Sequence, residues 1–150
     1  MNDRHQARVL ALQALCQLET LGEDWLAQLD DFLCDDDPPT GVQQYAKGLV
    51  RDAWSNLARI DEVLQGVTAN WELKRMAMVD RNILRAATCE LLLRPDVPPK
   101  VAINEAVEIG KSFGAAESAA FINGVLDAIV KQRSAQQPAA SETETLATNH

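Results

Sequence analysis

The sequence predicts an all-α protein, a compact bundle of about seven helices in two helical subdomains that share one core. Apolar residues recur at helical spacing through most of the 150-residue chain, and β-branched and aromatic residues do not alternate as they would in strands. A content of only 7 Gly and 6 Pro also suits a compact helical protein. We expect one domain over residues 1–133, followed by a disordered tail over 134–150 that has too little apolar surface to fold.

The first half of the chain predicts three helices. Residues 3–20 carry a continuous apolar stripe, and a shorter stripe covers about 23–34. An acidic run and two prolines then end the second helix. Thr40 is a good N-cap for a long third helix that reaches about Gly66, because its apolar stripe continues without interruption.

The second half begins with a segment, 67–78, in which Asn70 and Trp71 indicate at most a short helical turn. A clear apolar stripe then predicts a helix over about 78–94. Two prolines precede the next helix, which ends with Gly114 as its cap, and Ser118 can cap the last helix. These last two helices therefore form a hairpin with a short hinge.

The charge of the chain is unevenly distributed. The formal net charge is −8, and residues 19–37 contain eight acidic residues and no Lys or Arg. The remainder is slightly positive once the two glutamates of the tail are set aside. A polyanion could therefore dock on that remainder if the acidic segment lies on another face. The alternative is that this acidity only keeps the protein soluble.

The start of the first helix is basic. Arg4, His5 and Arg8 cluster there, although cations near a helix N-terminus oppose the helix dipole. Helix stability therefore does not explain them, and they fit an arm that contacts phosphates. The alternative is an ordinary solvated N-terminus.

The hinge of the hairpin offers a second group of candidate binding residues. Phe121 lies early in the last helix and would stack on an unpaired base if it is exposed, or else pack in the core. Lys111 and Ser118 flank the hinge, where free backbone amides suit a phosphate. For Ser118, the simpler interpretation is a helix cap.

No enzyme motif is present in the sequence. There is no glycine-rich phosphate loop, no G-x-S-x-G and no H-E-x-x-H. The three cysteines are widely spaced and the histidines are His5 and His150, so the sequence predicts no metal site and no cofactor. Because both histidines are near the termini, a cysteine nucleophile with a histidine base is not predicted either. Without a signal segment or a membrane span, and with these cysteines read as free thiols, we expect a cytoplasmic protein.

Three sequence stretches resemble the NusB family of bacterial transcription antitermination factors. They are P-x-K-V-A-I-N-E-A-V-E-I-G-K-S-F-G followed by S-x-x-F-I-N-G-V-L-D in the hairpin, V-D-R-N-I-L-R-A-A-T-C-E-L-L at 79–92, and A-R-V-L-A-L-Q-A-L at 7–15. The resemblance covers about 1–133 and weakens over 19–40. It implies a compact helical bundle and a non-catalytic RNA-binding protein. Such a protein, together with the ribosomal protein NusE, binds boxA RNA and helps the elongating RNA polymerase and other Nus factors pass terminators.

The resemblance also implies roles for individual residues. It places Phe121 at a surface for single-stranded RNA and the basic start, with Arg4 and Arg8, in contact with RNA. The acidic position matching Asp80 helps to hold NusE, with Arg81 beside it. Cys16 lies where relatives often carry a Tyr close to this contact. The chain departs from the family pattern because only two arginines remain at its start.

Two other functions remain open from the sequence. The chain could be chiefly a protein-interaction module with weak RNA affinity of its own, which the sparse arginines favour. It also resembles the RNA-binding domain that precedes a ribosomal RNA cytosine methyltransferase, although no methyl-donor-binding domain follows here. Since some relatives dimerise, a homodimer is a further expectation.

Overall fold

The computed structural model describes residues 2–68 and 72–136, and it confirms the predicted all-helical bundle over this part of the chain. The described residues form seven α-helices and two short 3-10 helices, without any strand. None of these helices combines the length and apolar character needed to cross a bilayer. In chain order the elements are α1 (Asp3–Leu21), a 3-10 helix (Glu23–Gln28), α2 (Leu29–Cys34), α3 (Thr40–Ser55), α4 (Leu57–Val67), a 3-10 helix (Leu73–Arg75), α5 (Met78–Leu93), α6 (Pro99–Phe113) and α7 (Ser118–Gln136).

The region predicted as one long helix over about 40–66 is broken into α3 and α4. The break falls at Asn56, whose φ is −111° and whose Nδ2 donates a hydrogen bond to the Asp52 carbonyl oxygen at 2.8 Å. This side chain competes with the helical hydrogen bonds, as asparagine commonly does. Thr40 is the first residue of α3 and Pro39 is the capping position, so the predicted cap was one residue out.

Helix α5 lies at the centre of the fold. Residues 82–90 are all buried, and α5 packs against α1 and α3 on one side and against α4, α6 and α7 on the other. Two groups of helices, α1–α3 and α4–α7, therefore share a single hydrophobic core. Arg85 joins three helices, because it forms ion pairs at 2.8 Å with Glu19 of α1 and with Asp61 of α4.

The hairpin of α6 and α7 is closely packed at Gly110. A Cβ atom on Gly110 would lie 2.8 Å from the Ile122 Cδ1 atom, so α7 approaches α6 closely there. Gly124 of α7, in contrast, has nothing within 4 Å of its Cβ position. Helix α7 continues to Gln136, three residues past the predicted domain boundary.

Two predictions fall outside the described residues. The turn at Asn70 and Trp71 belongs to the gap between the two described ranges. The disordered tail, apart from its first three residues in α7, lies in 137–150.

Candidate nucleic-acid interface

Arg4 is the exposed cation of the N-terminal arm. The Asn2 Oδ1 atom accepts a hydrogen bond from the His5 backbone amide at 2.7 Å and so caps α1 just before the arginine. The Arg4 Cζ atom lies 3.9 Å from the centroid of the Tyr45 ring, which belongs to α3. This cation–π contact holds the guanidinium at the surface, where Arg4 is exposed to solvent.

Arg8 is not an exposed arm residue, in contrast to the sequence expectation. It is only 6% exposed, and its guanidinium donates hydrogen bonds to Glu90 at 3.0 Å and to Glu105 at 2.9 Å. Burial alone would lower the pKa of Arg8, but the hydrogen bonds and charge of Glu90 outweigh burial and raise it. Arg8 is therefore a permanent cation inside the protein, where it joins α1 to α5 and α6.

His5 is also engaged within the protein. Its Nδ1 atom lies 3.3 Å from the Glu105 Oε2 atom, and the ring is partly buried. Glu105 thus receives both His5 and Arg8. Of the three basic residues predicted for the arm, the structure leaves Arg4 as the one with an exposed side chain.

Tyr45 is the residue that sequence reasoning missed. Its spacing placed it in the apolar stripe of the third helix, where a core role was expected. Its hydroxyl instead donates a hydrogen bond to Glu90, which also binds Arg8. Burial and this hydrogen bond raise the pKa of Tyr45 to about 12. The ring is therefore a fixed, neutral platform beneath Arg4.

The hinge between α6 and α7 is held by Ser118. The Ser118 Oγ atom accepts a hydrogen bond from the Ala115 amide at 2.9 Å, and a Cβ atom on Gly114 would lie only 2.5 Å from that oxygen. Ser118 is 1% exposed, so the predicted contact between its hydroxyl and RNA is not available in this conformation. The simpler interpretation, a helix cap, was also wrong in detail, because Ser118 is the first residue of α7 and its hydroxyl binds the amide of Ala115, which precedes the helix.

Phe121 and Lys111 lie on either side of that hinge. Lys111 is exposed and its Nζ atom is 3.2 Å from the Glu108 Oε1 atom on the same helix. Phe121 is partly buried against the core, and one part of it lines a groove of about 250 Å³ between α5 and α7. Arg75 and Asp80 line the same groove. The aromatic predicted to bind RNA and the acid predicted to bind a partner protein therefore share one surface.

The three residues predicted for partner binding lie close together but differ in accessibility. Arg81 is mostly buried, where it pairs with Glu19 at 2.7 Å and donates to two backbone carbonyls. The Cys16 Sγ atom accepts a long hydrogen bond from the Asn82 side-chain amide at 3.7 Å. The Asp80 Oδ1 atom makes no hydrogen bond within the described part of the chain. Asp80 is therefore the member with a free acceptor.

Helix α6 connects the arm and the hinge. Its first half carries Glu105, which holds His5 and Arg8 of the arm, and its last turn carries Lys111 beside the hinge. Six residues of helix separate Glu105 from Lys111, which corresponds to about 9 Å along the axis. Helix α6 therefore links the arm to the hinge within the fold.

Comparison with known proteins gives one consistent result. The family model described as the NusB family matches residues 5–131. A transcription antitermination protein NusB from Anaeromyxobacter sp. (strain Fw109-5) is 48% identical over 127 residues, which is 84% of this chain and 88% of that protein. The structure of NusB from T. maritima has a TM-score of 0.78 and 37% identity, and the match covers 85% of this chain and 90% of that one.

A second solved structure contains partners. It is a crystal structure of the antitermination factors NusB and NusE in complex with double-stranded RNA, with a TM-score of 0.78 and 26% identity. The match covers 88% of this chain and 98% of that one.

Proposed function

The chain belongs to the NusB family, and on this premise we propose that it is a transcription antitermination factor. With NusE, a ribosomal protein of the small subunit, it binds the boxA element of ribosomal RNA leader transcripts. The elongating RNA polymerase, with the other Nus factors, then passes termination signals. The observation that carries this proposal is the family match, which extends over residues 5–131 at nearly half identity with a curated relative.

The proposed RNA surface runs from Arg4 to the hinge. Arg4 is exposed and held over Tyr45, and Lys111 is exposed beside the hinge. Phe121 lines a groove of about 250 Å³, and stacking of an unpaired base on its ring would be worth about 1–3 kcal/mol. His5, Arg8 and Ser118 act on RNA only indirectly, because their side chains hold the arm and the turn in place.

The proposed NusE surface includes Asp80, with Arg81 and Cys16 behind it. Asp80 lines the groove beside α7, and its negative charge would attract a basic partner there. Its Oδ1 atom is buried without a hydrogen-bond donor among the described residues, so a partner would contact the carboxylate through its other oxygen. Arg81 and Cys16 contribute by supporting α5 against α1, since Arg81 pairs with Glu19 and Cys16 contacts Asn82.

A boxA RNA titration, with and without NusE, tests both surfaces. The Phe121→Ala variant should bind boxA about fivefold to a hundredfold more weakly and keep its helical circular dichroism. Phe32→Ala is the matched control, because Phe32 is also a partly buried phenylalanine but packs against Trp25 and does not line the groove of Phe121. If Phe121→Ala binds like the wild type, Phe121 is not part of the RNA surface. Duplex RNA as a competitor establishes whether the protein prefers single strands.

One observation favours the second candidate, a protein-interaction module with weak RNA affinity of its own. Arg8 is buried and His5 is paired with Glu105, so the arm presents one exposed cation where a phosphate-contacting arm would use several. If boxA binds only when NusE is present, this second function is correct. If boxA binds equally well without NusE, the protein is an RNA-binding factor in its own right.

The protein is proposed to act by binding and without catalysis, in the cytoplasm. The relatives that support this are named as transcription antitermination proteins. A domain of an RNA methyltransferase is the less favoured alternative, because the matched relatives are covered over about nine tenths of their own length.

A further inference from the structure

A groove with a volume of about 310 Å³ lies between the start of α1, the first half of α3 and the end of α5. Its lining consists of Arg4, Gly41, Gln44, Tyr45, Gly48 and Arg94. The Arg4 and Arg94 Cζ atoms lie 3.9 Å and 5.7 Å from the centroid of the Tyr45 ring. Arg4 from the start of α1 and Arg94 from just after α5 are thus gathered around one aromatic side chain in this groove, and the buried Arg8 lies near the same ring.

The charge of this groove differs from that of its neighbour. A wider groove on the other flank of the α1 start, next to α6, also contains Arg4, but Asp3, Asp96 and Glu105 line it as well. Among the described residues that line the α3-side groove, none is acidic and two are arginines. A polyanion that contacts Arg4 is therefore drawn toward α3.

The two glycines of α3 keep this groove open. A Cβ atom at Gly41 would meet nothing within 4 Å. A Cβ atom at Gly48 would lie 3.3 Å from the Arg94 Nη2 atom, so a larger residue there would press on the arginine. The same Nη2 atom donates to the Asp52 Oδ2 atom at 2.6 Å, which fixes the direction of the Arg94 side chain.

The aromatic centre of the groove is rigid. The Tyr45 hydroxyl is bonded to Glu90, and Glu90 is 2% exposed and paired with Arg8. The ring therefore cannot rotate away without breaking a buried hydrogen bond. An anion that enters the groove meets guanidinium groups that are already positioned, so little side-chain entropy is lost on binding.

We propose that this α3-side groove binds a backbone phosphate of the RNA, with Arg4 and Arg94 as its two cations and Tyr45 as a positioning residue. This inference rests on the proposed function, and it extends the RNA path from the start of α1 across α3. Arginine suits such a site because its planar guanidinium donates two hydrogen bonds to a phosphate. Arg94 thereby gains a role that the sequence pattern did not indicate.

Titration of boxA RNA at a series of salt concentrations tests the groove. Gly41→Glu places a carboxylate in the groove at an open position, and it should weaken binding about tenfold. Gly41→Gln has nearly the same shape without the charge and should bind like the wild type. Gly66→Glu makes the same charge change at an open glycine of α4, and it should also bind normally.

Arg94 is tested separately. Arg94→Gln should reduce the slope of log affinity against log salt by about 0.7, the value for one phosphate on a single strand. Arg94→Lys should recover most of that slope, because it restores the positive charge. Thermal unfolding of each variant shows whether any loss of binding comes from unfolding.

The outcomes separate this inference from the proposed function. If wild-type protein binds boxA and Arg4→Gln weakens it, while Gly41→Glu and Arg94→Gln bind normally, the groove is not a phosphate site and the proposed function stands. If Gly66→Glu weakens binding as much as Gly41→Glu, the effect is one of overall charge and the inference is wrong. If the wild type fails to bind boxA even with NusE, the proposed function fails and the groove has no RNA to bind.

Discussion

Replacing Glu90 with alanine should destabilise the protein strongly. Glu90 is 2% exposed and accepts hydrogen bonds from the Arg8 guanidinium, at 3.0 Å, and from the Tyr45 hydroxyl. Its removal leaves Arg8 with Glu105 as its one counter-ion among the described residues, and it leaves the half-buried Tyr45 without its hydrogen-bond acceptor. Breaking one side of a buried ion pair costs about 3–5 kcal/mol, which is a large fraction of the stability of a typical domain.

Urea unfolding followed by far-ultraviolet circular dichroism measures this loss. With a slope of about 2 kcal/mol per molar urea, the midpoint should fall by about 2 M. Asp127→Ala is the control, because it removes an exposed ion pair with Lys131 at 3.0 Å and should cost at most about 0.5 kcal/mol.

A small effect of Glu90→Ala would refute the reasoning. If the variant lies within about 1 kcal/mol of the wild type, Arg8 is able to reach solvent and the buried network does not constrain it. The double variant Arg8→Met with Glu90→Leu provides an independent check, since replacing both charges by apolar groups should cost much less than Glu90→Ala alone.

Three further predictions concern other parts of the molecule. Gly110→Ala should lower the free energy of unfolding by about 1–3 kcal/mol, because its Cβ would lie 2.8 Å from an isoleucine of α7. Gly124→Ala should raise the free energy of unfolding by about 0.5–1 kcal/mol, because its Cβ has free space. Urea unfolding measures both. Hydrogen bonds from Arg81 lower the pKa of Glu19 below its ordinary value of 4.5, so this stabilisation is present above that pH and is lost as the pH falls through the folded-state pKa. The free energy of unfolding of Glu19→Gln should therefore change less with pH in that range than that of the wild type, which acid unfolding measures. Burial raises the pKa of Cys89 to about 12, so a thiol reagent should label the exposed Cys34 of the native protein first, which peptide mass spectrometry can verify.

The helices were predictable from local sequence, but one break was not. The start of α6 at its two prolines follows from local backbone preferences and was predicted correctly, and the predicted cap of α7 at Ser118 was one residue out. The break between α3 and α4 was missed because the apolar stripe continues through it. It depends on the Asn56 side chain, which competes with the helix only in the context of the folded neighbours.

The candidate site was less predictable, because its partners are distant in sequence. The sequence predicts Arg8 as an exposed residue of the arm. In the structure it is buried, because it pairs with Glu105 and with Glu90, which is 82 positions away. The sequence predicts Tyr45 as a core residue for the same reason, because no neighbouring residue in the sequence indicates that Arg4 stacks on its ring. No periodicity encodes such long-range pairs, so sequence alone gives the residue types without their burial.

The position of the acidic segment explains how a chain with a net charge of −8 can carry an RNA surface. The acidic segment, residues 19–37, begins at the last turn of α1, whereas Arg4 lies in its first turn. A helix of 19 residues is about 28 Å long, and the Debye length at physiological salt is about 8 Å. Repulsion between the acidic segment and a phosphate at Arg4 is therefore largely screened. The acidic end is instead free to attract a basic protein partner, and it lies next to Asp80 through the Arg81–Glu19 pair.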